Sequence, residues 1–242
     1  MKAAARIVAE ADGRGGTRLA VLRGESPLLL RRTGGRGGPG VTVHLVGGAA
    51  GPLRGDELSV EVTVGAAAHL IVRSVAAQLA LPGKPGSSPS RLSLVAEVAG
   101  TLDWQPEPLI AAAGCDHRTG TRVDVAEGGA LLWREDLVLG RHAEPTGTVR
   151  LSTTIRHAGR TLYRHDLAVG PGLDSPAVLG GFRALGTLVA VPGLAGGAPA
   201  TGQAAIMPLA GPGVLATAVG ADIREVTSFL RPLRLSAPRD CR

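Results

Sequence analysis

Hydrophobic and polar residues alternate with a period of two along several stretches of this chain. The clearest stretch spans residues 58–64, where four apolar side chains share one face and polar side chains take the other. Because side chains of a β-strand point alternately to its two faces, this pattern predicts strands with one buried face. The same alternation recurs over residues 41–46, 122–125 and 149–155. The chain is therefore predicted to be mainly β.

Glycines mark a loose internal repeat in the first two thirds of the chain. Each of four glycines ends one predicted strand and is followed closely by a leucine that opens another. They are Gly65, Gly100, Gly129 and Gly159, at intervals of 35, 29 and 30 residues. We expect them to supply the positive φ that tight hairpin turns demand. The period fits either stacked strand–turn–strand units with a shared core or an ordinary β-meander.

Helices are predicted to be few and short. The best candidate is Asp222–Leu230, where apolar residues recur at helical spacing, Asp222 is placed to cap the start and Pro232 to end it. Residues 74–81 are a weaker candidate. Loops are predicted at residues 31–40, 81–90, 170–176 and 192–202. Residues 1–242 show no break in composition, so we predict one domain, with a loose tail from about residue 232.

Composition narrows the class of protein. Hydrophobic residues make up 44% of the 242, which excludes a disordered chain, and 36 Gly with 17 Pro favour turns over long helices. The net charge of +6 suits nucleic acid, anionic lipid or an acidic protein. Only two Trp, two Phe and one Tyr are present, too few to favour base stacking. We expect no nucleic-acid partner, no membrane segment and a cytoplasmic location.

Motifs of catalysis are weak throughout. Residues 35–40 fit G-x-G-x-x-G as a string, but a predicted strand follows where a dinucleotide site needs a helix. The chain has no phosphate-binding G-x-x-x-x-G-K-[ST], no G-x-S-x-G and no H-E-x-x-H. The two cysteines, Cys115 and Cys241, form no disulfide framework. These observations predict that the chain is not an enzyme.

A few side chains are candidates for metal chemistry. Cys115, Asp116 and His117 are three consecutive ligand types that suit a borderline ion, although such a run is also expected by chance. Glu135 and Asp136 end an apolar strand and point to opposite faces, so one of them is directed inward. Carboxylates bind divalent cations weakly enough to release them, which suits transit. The alternative is that nearby Arg141 pairs with a carboxylate and locks a turn.

Two tryptophans occupy equivalent positions in successive repeats. Trp104 and Trp133 each follow a repeat glycine by four residues. Stacked positions in a core would explain both. The alternative is that they anchor an interface, where tryptophan is enriched.

Three short elements occur in a fixed order along the chain. Residues 47–56 read GGAAGPLRGD, residues 104–107 read WQPE, and residues 135–141 read EDLVLGR. By their order and spacing, across roughly residues 6–190, the chain resembles the UreD (also called UreH) family of urease accessory proteins. The resemblance implies a mainly β fold with antiparallel and mixed sheets stacked in a layered, β-helix-like arrangement. It favours stacking over a meander.

The resemblance also implies a function without catalysis. A protein of this kind binds apo-urease and the accessory protein UreF, which recruits the GTPase UreG, and it passes Ni²⁺ to the urease active site. No cofactor is expected to be tightly bound, and nickel is expected only in transit. The resemblance leaves open whether the protein forms a dimer within the accessory complex. By resemblance, Asp56 and Glu107 join Glu135 as candidates for the ion path. Asp56, after Gly55, also suits a plain turn role.

The chain departs from the family pattern in three places. After Gly140-Arg141 the family carries Gly-Glu and an aromatic residue, whereas residues 144–147 here read Glu-Pro-Thr-Gly. Residues 66–81 lack the expected Thr-Gln and Tyr, and the carboxyl-terminal region is short. These departures affect the expected docking details more than the fold. The remaining alternative is a β-rich protein-interaction module with no metal role.

Overall fold

Two large β-sheets face each other in the computed structural model of the protein, which describes residues 1–34, 40–172, 176–195 and 202–236. Strands and helices are numbered in chain order. The first sheet has the order β14-β13-β11-β8-β5-β1-β2. Its strands are β1 (Lys2–Ala11), β2 (Thr17–Gly24), β5 (Glu57–Val64), β8 (Ser90–Val98), β11 (Asp116–Val125), β13 (Thr148–His157) and β14 (Arg160–Val169).

The second sheet contains ten strands and follows the order β17-β18-β15-β12-β9-β6-β4-β3, with β10 beside β12 and β7 beside β10. They are β3 (Leu28–Thr33), β4 (Val41–Gly47), β6 (His69–Ser74), β7 (Gln78–Ala80), β9 (Thr101–Trp104), β10 (Leu109–Ala111), β12 (Ala130–Leu139), β15 (Ala184–Val191), β17 (Ala204–Pro208) and β18 (Val214–Gly220). Short strands β16 (Leu194–Ala195) and β19 (Arg234–Leu235) pair separately.

The described helices are α1 (Pro176–Leu179) and α2 (Ile223–Leu230), both in the carboxyl-terminal third. As predicted, Asp222 caps α2, its carboxylate accepting from the backbone N–H groups of Arg224 and Glu225. The helix buries Val226 and Leu230 against β15 and β18, which gives the molecule a second apolar core outside the sheet pair. In the described ranges, neither helix is long and apolar enough to cross a bilayer.

The chain coils between the two sheets, which confirms the mainly β, layered fold. Strands β5, β8 and β11 lie side by side and parallel in the first sheet. The strand that follows each of them crosses to the second sheet, where β6, β9 and β12 are again parallel neighbours. Inward-facing residues of both sheets form the main core, which includes Ile7, Val62, Leu70, Leu102 and Leu131.

The repeat predicted from glycines is stacked over its first three units and fails at the fourth. Gly65, Gly100 and Gly129 precede β6, β9 and β12, the three parallel strands of the second sheet. After Gly159 the chain instead turns back on itself, because β14 pairs antiparallel with β13 in the first sheet. The expected φ is also wrong for the first three glycines, since only Gly159 of the four has a positive φ, of 77°.

Glycine is needed at the stacked turns because neighbouring backbones approach closely there, and not because the turns require a positive φ. A Cβ added to Gly100 would lie 2.3 Å from the carbonyl oxygen of Ala68 and 2.4 Å from that of Gly65. At Gly129 the same atom would lie 2.7 Å from the carbonyl oxygen of Val98. Successive turns therefore stack with backbone against backbone, and any side chain would separate them.

Two local predictions are wrong. Residues 74–81 form bends and strand β7 instead of a helix, because Gln78 donates its backbone N–H to the carbonyl of Pro108 and Leu81 donates to that of Pro52. Tertiary pairing overrides local propensity there. The predicted loop at residues 31–40 begins inside β3, which forms a hairpin with β4. Residues 35–39, with most of the G-x-G-x-x-G string, lie outside the described residues, as does Cys241. The tail predicted to be loose from about residue 232 is ordered at its start, where β19 pairs with β16, and its residues 237–242 lie outside the described residues.

Substitution of Gly100 by Ala is expected to destabilise the protein by about 3 kcal/mol or more, since the new methyl group overlaps two carbonyl oxygens. The matched control is Gly120→Ala in the middle of β11, where an added Cβ meets nothing within 4 Å. That change should alter stability by less than about 1 kcal/mol, in the stabilising direction. Urea denaturation of both variants measures the difference, and equal effects would refute the stacking explanation.

Candidate functional site

The second sheet has a gap on one side of β12, between the end of β9 and the start of β10. Strand β12 pairs with β9 up to Trp133↔Trp104, and with β10 from Leu137↔Leu109 onward. Between these registers, residues 134–136 have no strand partner on that side, although on their other side they pair with β15. Residues 105–108, which face this gap, carry two prolines that have no N–H to donate to a ladder. The sheet therefore has an opening at residues 134–136.

A cavity of about 370 Å³ lies at this opening and reaches the space between the sheets. Its wall is mostly apolar and includes Leu58, Val60 and Leu94 of the first sheet. Three acidic residues are among those that line it, Glu107, Glu135 and Asp136. Two of the three residues predicted for an ion path, Glu107 and Glu135, are thus brought to one cavity.

Glu135 points inward and is held by neutral donors. Its Oε1 accepts hydrogen bonds from Thr121 Oγ1 at 2.9 Å and Trp133 Nε1 at 3.0 Å, and its Oε2 accepts one from Thr153 Oγ1 at 2.8 Å. Within the described chain, this carboxylate forms no ion pair. The carboxylate is therefore held in one orientation, and no cationic side chain of the described residues pairs with it.

Asp136 points to the opposite face, as expected for the next residue of a strand. Its Oδ2 lies 2.6 Å from Nη2 of Arg134, and both side chains are less than a tenth exposed. Thr227 of α2 accepts a further hydrogen bond from Arg134 at 3.2 Å. Burial raises the pKa of Asp136, and the Arg134 guanidinium opposes that rise. The pair forms a neutral wall of the opening beneath the helix.

Glu107 is exposed at the junction of two cavities. Besides the inner cavity, it lines an open groove of about 540 Å³ that runs beside α2 and includes Pro108 and Thr227. Its position is fixed through the backbone, because its N–H donates to Ser74 Oγ at 2.8 Å, which leaves the carboxylate exposed. The groove, Glu107 and the inner cavity thus follow one another across the sheet.

Asp56 does not line the cavity. Its carboxylate is 6% exposed and is bound within the amino-terminal region, accepting from the backbone N–H of Leu53 at 2.9 Å and from the Met1 amino group at 2.6 Å. These contacts are those of a turn residue. The structure therefore separates Asp56 from Glu107 and Glu135.

The run Cys115–His117 is not brought together as a ligand set. Asp116 and His117 begin β11 and point to opposite faces, and both ring nitrogens of His117 are occupied, by Ser90 Oγ at 2.8 Å and Thr119 Oγ1 at 3.0 Å. Burial raises the pKa of the Cys115 thiol to about 11. Within the described residues, no group of three or more His, Cys, Asp or Glu side chains is arranged to hold a metal ion.

The two tryptophans are stacked inside the core. Their ring centroids are 4.8 Å apart with an interplanar angle of 6°, and each residue is 2% exposed. Register explains the stack, because Trp104 and Trp133 are direct partners on parallel strands. Trp133 also fixes Glu135 through its indole N–H, so the pair forms the inner wall that orients the carboxylate.

Arg141 lies in a turn and pairs with Glu144, in the segment that departs from the family pattern. Its Nη2 lies 2.7 Å from Glu144 Oε1, while its Nε and its backbone N–H both donate to Oε2. These bonds lower the pKa of Glu144 to about 2. The carboxylate of the Glu-Pro-Thr-Gly departure thus stays in the turn, away from the cavity.

Sequence reasoning missed Arg134 and the opening itself. The signal was present in Gln105-Pro106-Glu107-Pro108, since two prolines in an otherwise strand-like run indicate a break in the ladder. Arg134 gave no such signal. Its burial depends on the ion pair with Asp136, which the sequence pattern of the strand does not show.

Comparison with known proteins shows the family to which the chain belongs. The family described as UreD urease accessory protein matches residues 1–239. Urease accessory protein UreD 3 of Streptomyces griseus is 46% identical over 242 residues, covering 95% of this chain and 94% of that protein. Urease accessory protein UreD of Streptomyces avermitilis is 45% identical over 233 residues, covering 92% of each. The chain belongs to the UreD family of urease accessory proteins, which confirms the resemblance carried by its three short elements.

Buried His117 should make stability depend on pH. Burial lowers its pKa from 6.5 to about 4, so the unfolded state binds more protons between these values. Stability is then complete above pH 6.5 and falls as the pH drops towards 4, by about 3 kcal/mol. Urea denaturation across this window should show a flatter profile for His117→Gln. Exposed His142→Gln is the control, and a loss of slope there would contradict the assignment.

Proposed function

We propose that this protein is a nickel-insertion accessory factor that joins apo-urease to UreF, and through UreF to the GTPase UreG. Hydrolysis of GTP by UreG would release Ni²⁺, and this chain would conduct the ion towards the urease active site. Membership of the UreD family supports the role in urease maturation. The single observation that carries the conducting role is the unneutralised carboxylate of Glu135 in a cavity at a break in the sheet.

The proposed route follows the order of the cavities. The ion enters at the groove beside α2, passes exposed Glu107, crosses the opening at residues 134–136 and reaches Glu135 between the sheets. An opening of this kind is needed, because an intact ladder of backbone hydrogen bonds leaves no passage through a sheet. Paired Arg134 and Asp136 line the crossing without adding a net charge.

Glu135 is suited to hold a divalent ion briefly. A carboxylate has about four acceptor positions, and three of them are taken by Thr121, Trp133 and Thr153. One position is left, on Oε2. A single oxygen ligand in a rigid setting attracts a divalent cation but does not retain it as a full coordination sphere would.

Strong competing ligands are kept away from this route. Cys115 is 3% exposed, and with a pKa of about 11 its thiol stays protonated at neutral pH. Both ring nitrogens of buried His117 are hydrogen-bonded, one to Ser90 Oγ and the other to Thr119 Oγ1. Oxygen ligands at the cavity therefore set the affinity, which favours release over storage.

Substitution of Glu135 or Glu107 by Gln is expected to lower nickel transfer without loss of assembly. Removal of one negative charge beside a divalent ion costs at least about 1.4 kcal/mol in a partly buried site, or about tenfold. The assay co-expresses apo-urease, UreF, UreG and nickel with the wild-type chain, with a variant or without the chain. Urease activity and nickel per urease are measured.

Glu127→Gln is the matched control, since Glu127 is exposed in a turn and does not line the cavity. Co-purification of the variants with UreF and urease separates failed assembly from failed conduction. Full nickel content in both cavity variants would favour the alternative, an interaction module without a metal role. Equal urease activity in the absence of the chain would refute the accessory function itself.

A further inference from the structure

The outer face of the first sheet carries a row of arginines. Arg91 on β8, Arg118 on β11 and Arg150 on β13 are direct register partners across adjacent parallel strands. All three side chains are exposed. Neighbouring strands are about 4.8 Å apart, so three positive charges lie within about 10 Å. Arg122, exposed and two rungs along β11, extends this arginine patch.

Within the described residues, the four patch arginines form no ion pair with a carboxylate, unlike other basic residues on the same face. In the described chain, Arg91, Arg118, Arg122 and Arg150 form no ion pair or side-chain hydrogen bond. Glu57 is the register neighbour of Arg91, but its carboxylate lies 2.7 Å from Lys2 Nζ. The paired basic side chains around the patch are Arg6 with Glu61, Arg156 with Asp124 and Arg164 with Asp166.

A shallow furrow of small residues runs beside the arginine row. Ser93, Gly120 and Ser152 are register partners on the same three strands, one rung further on. A glycine inside a strand weakens it and often marks close approach by another backbone. Gly120 does not serve packing within this chain, because an added Cβ would meet nothing within 4 Å. The furrow is thus open towards solvent.

We propose that the arginine patch and its furrow bind an acidic segment of a partner protein. Like charges placed directly opposite on adjacent strands destabilise a sheet. Among the described residues no carboxylate forms an ion pair with these arginines, and Glu57, which attracts Arg91, is itself paired with Lys2. Carboxylates of a partner would supply the missing counter-charges, while its backbone lies in the furrow over Gly120. This face is on the other side of the first sheet from the cavity, so docking here does not depend on the nickel route.

An acidic protein fits this face better than a nucleic acid does. Binding of a single strand uses aromatic side chains as platforms for bases. The register neighbours of the patch arginines outside the row are Glu57, Val95, Thr154 and Ala168, and none of them is aromatic. Guanidinium groups spaced at the strand interval match the closely spaced carboxylates of a Glu/Asp-rich segment, which they bind through two parallel hydrogen bonds.

The first test compares two triple variants that remove the same charge from the same face. Arg91→Ser, Arg118→Ser and Arg150→Ser together abolish the row, whereas Arg6→Ser, Arg156→Ser and Arg164→Ser remove paired arginines. The probe is a labelled 20-residue poly-glutamate peptide, titrated by fluorescence anisotropy at 50 and 150 mM salt against the full chain. We expect the row variant to bind about tenfold or more weakly and the paired variant to stay close to wild type.

Equal weakening in both triple variants would overturn the proposal, since net charge alone would then explain binding. A 20-nucleotide single strand that binds more tightly than the peptide, and loses affinity in the row variant, would assign the patch to nucleic acid instead. Gly120→Thr provides an independent readout. It should raise the melting temperature, because a β-branched residue suits a strand, and yet weaken peptide binding severalfold. Unchanged binding would show that nothing occupies the furrow.

Discussion

Parallel pairing within two facing sheets is the constraint on which the structure depends. Strands that are neighbours and parallel cannot be joined by a tight hairpin, so the chain must leave one sheet, cross, and return. Here the crossing itself supplies a strand to the opposite sheet, and both ladders grow together. The crossings have to stack at backbone contact, which only glycine permits at Gly100 and Gly129. After Gly159 the chain no longer crosses to the second sheet, and β13 and β14 form an antiparallel hairpin at the edge of the first sheet.

The candidate site arises from a local failure of the same ladder. Two prolines after Trp104 prevent β9 from continuing beside β12, so residues 134–136 face an opening instead of a strand. Alternation along β12 then sends Glu135 into the space between the sheets and Asp136 towards α2. One carboxylate is held by neutral donors, while the other is paired with Arg134. Adjacent residues thus acquire different chemistry from strand geometry alone.

Charge is distributed differently on the two sides of the first sheet. Its inner face is mostly apolar, with polar groups where hydroxyls reach Glu135 and where His117 is hydrogen-bonded. Its outer face carries ion pairs together with four arginines that have no ion pair within the described residues. Part of the basic charge seen in the sequence is therefore grouped on the outer face of this sheet. The proposed cation route inside and the proposed carboxylate-binding surface outside are compatible because a full sheet separates them.

Much of the fold was predictable from local pattern. The period-two alternation predicted the strands and the helical spacing after Asp222 predicted α2, since these depend on residues close in sequence. The glycine interval fitted stacked units or a meander, and the family resemblance favoured stacking. The family elements likewise stand in the sequence itself. Of the site, Glu135 and Glu107 were proposed as candidates, and the structure brings both to one cavity.

What only the tertiary structure decided concerns contacts between distant residues. Asp56 is held in its own turn, away from the cavity, and strand alternation separates Asp116 from His117. Residues 74–81 form bends and strand β7, because Pro108 and Pro52 offer carbonyls there. The opening, the buried Arg134 and the arginine row appear only once register is fixed. A sequence determines which face a side chain takes on its own strand. Which strand lies beside it depends on the folding of the whole chain.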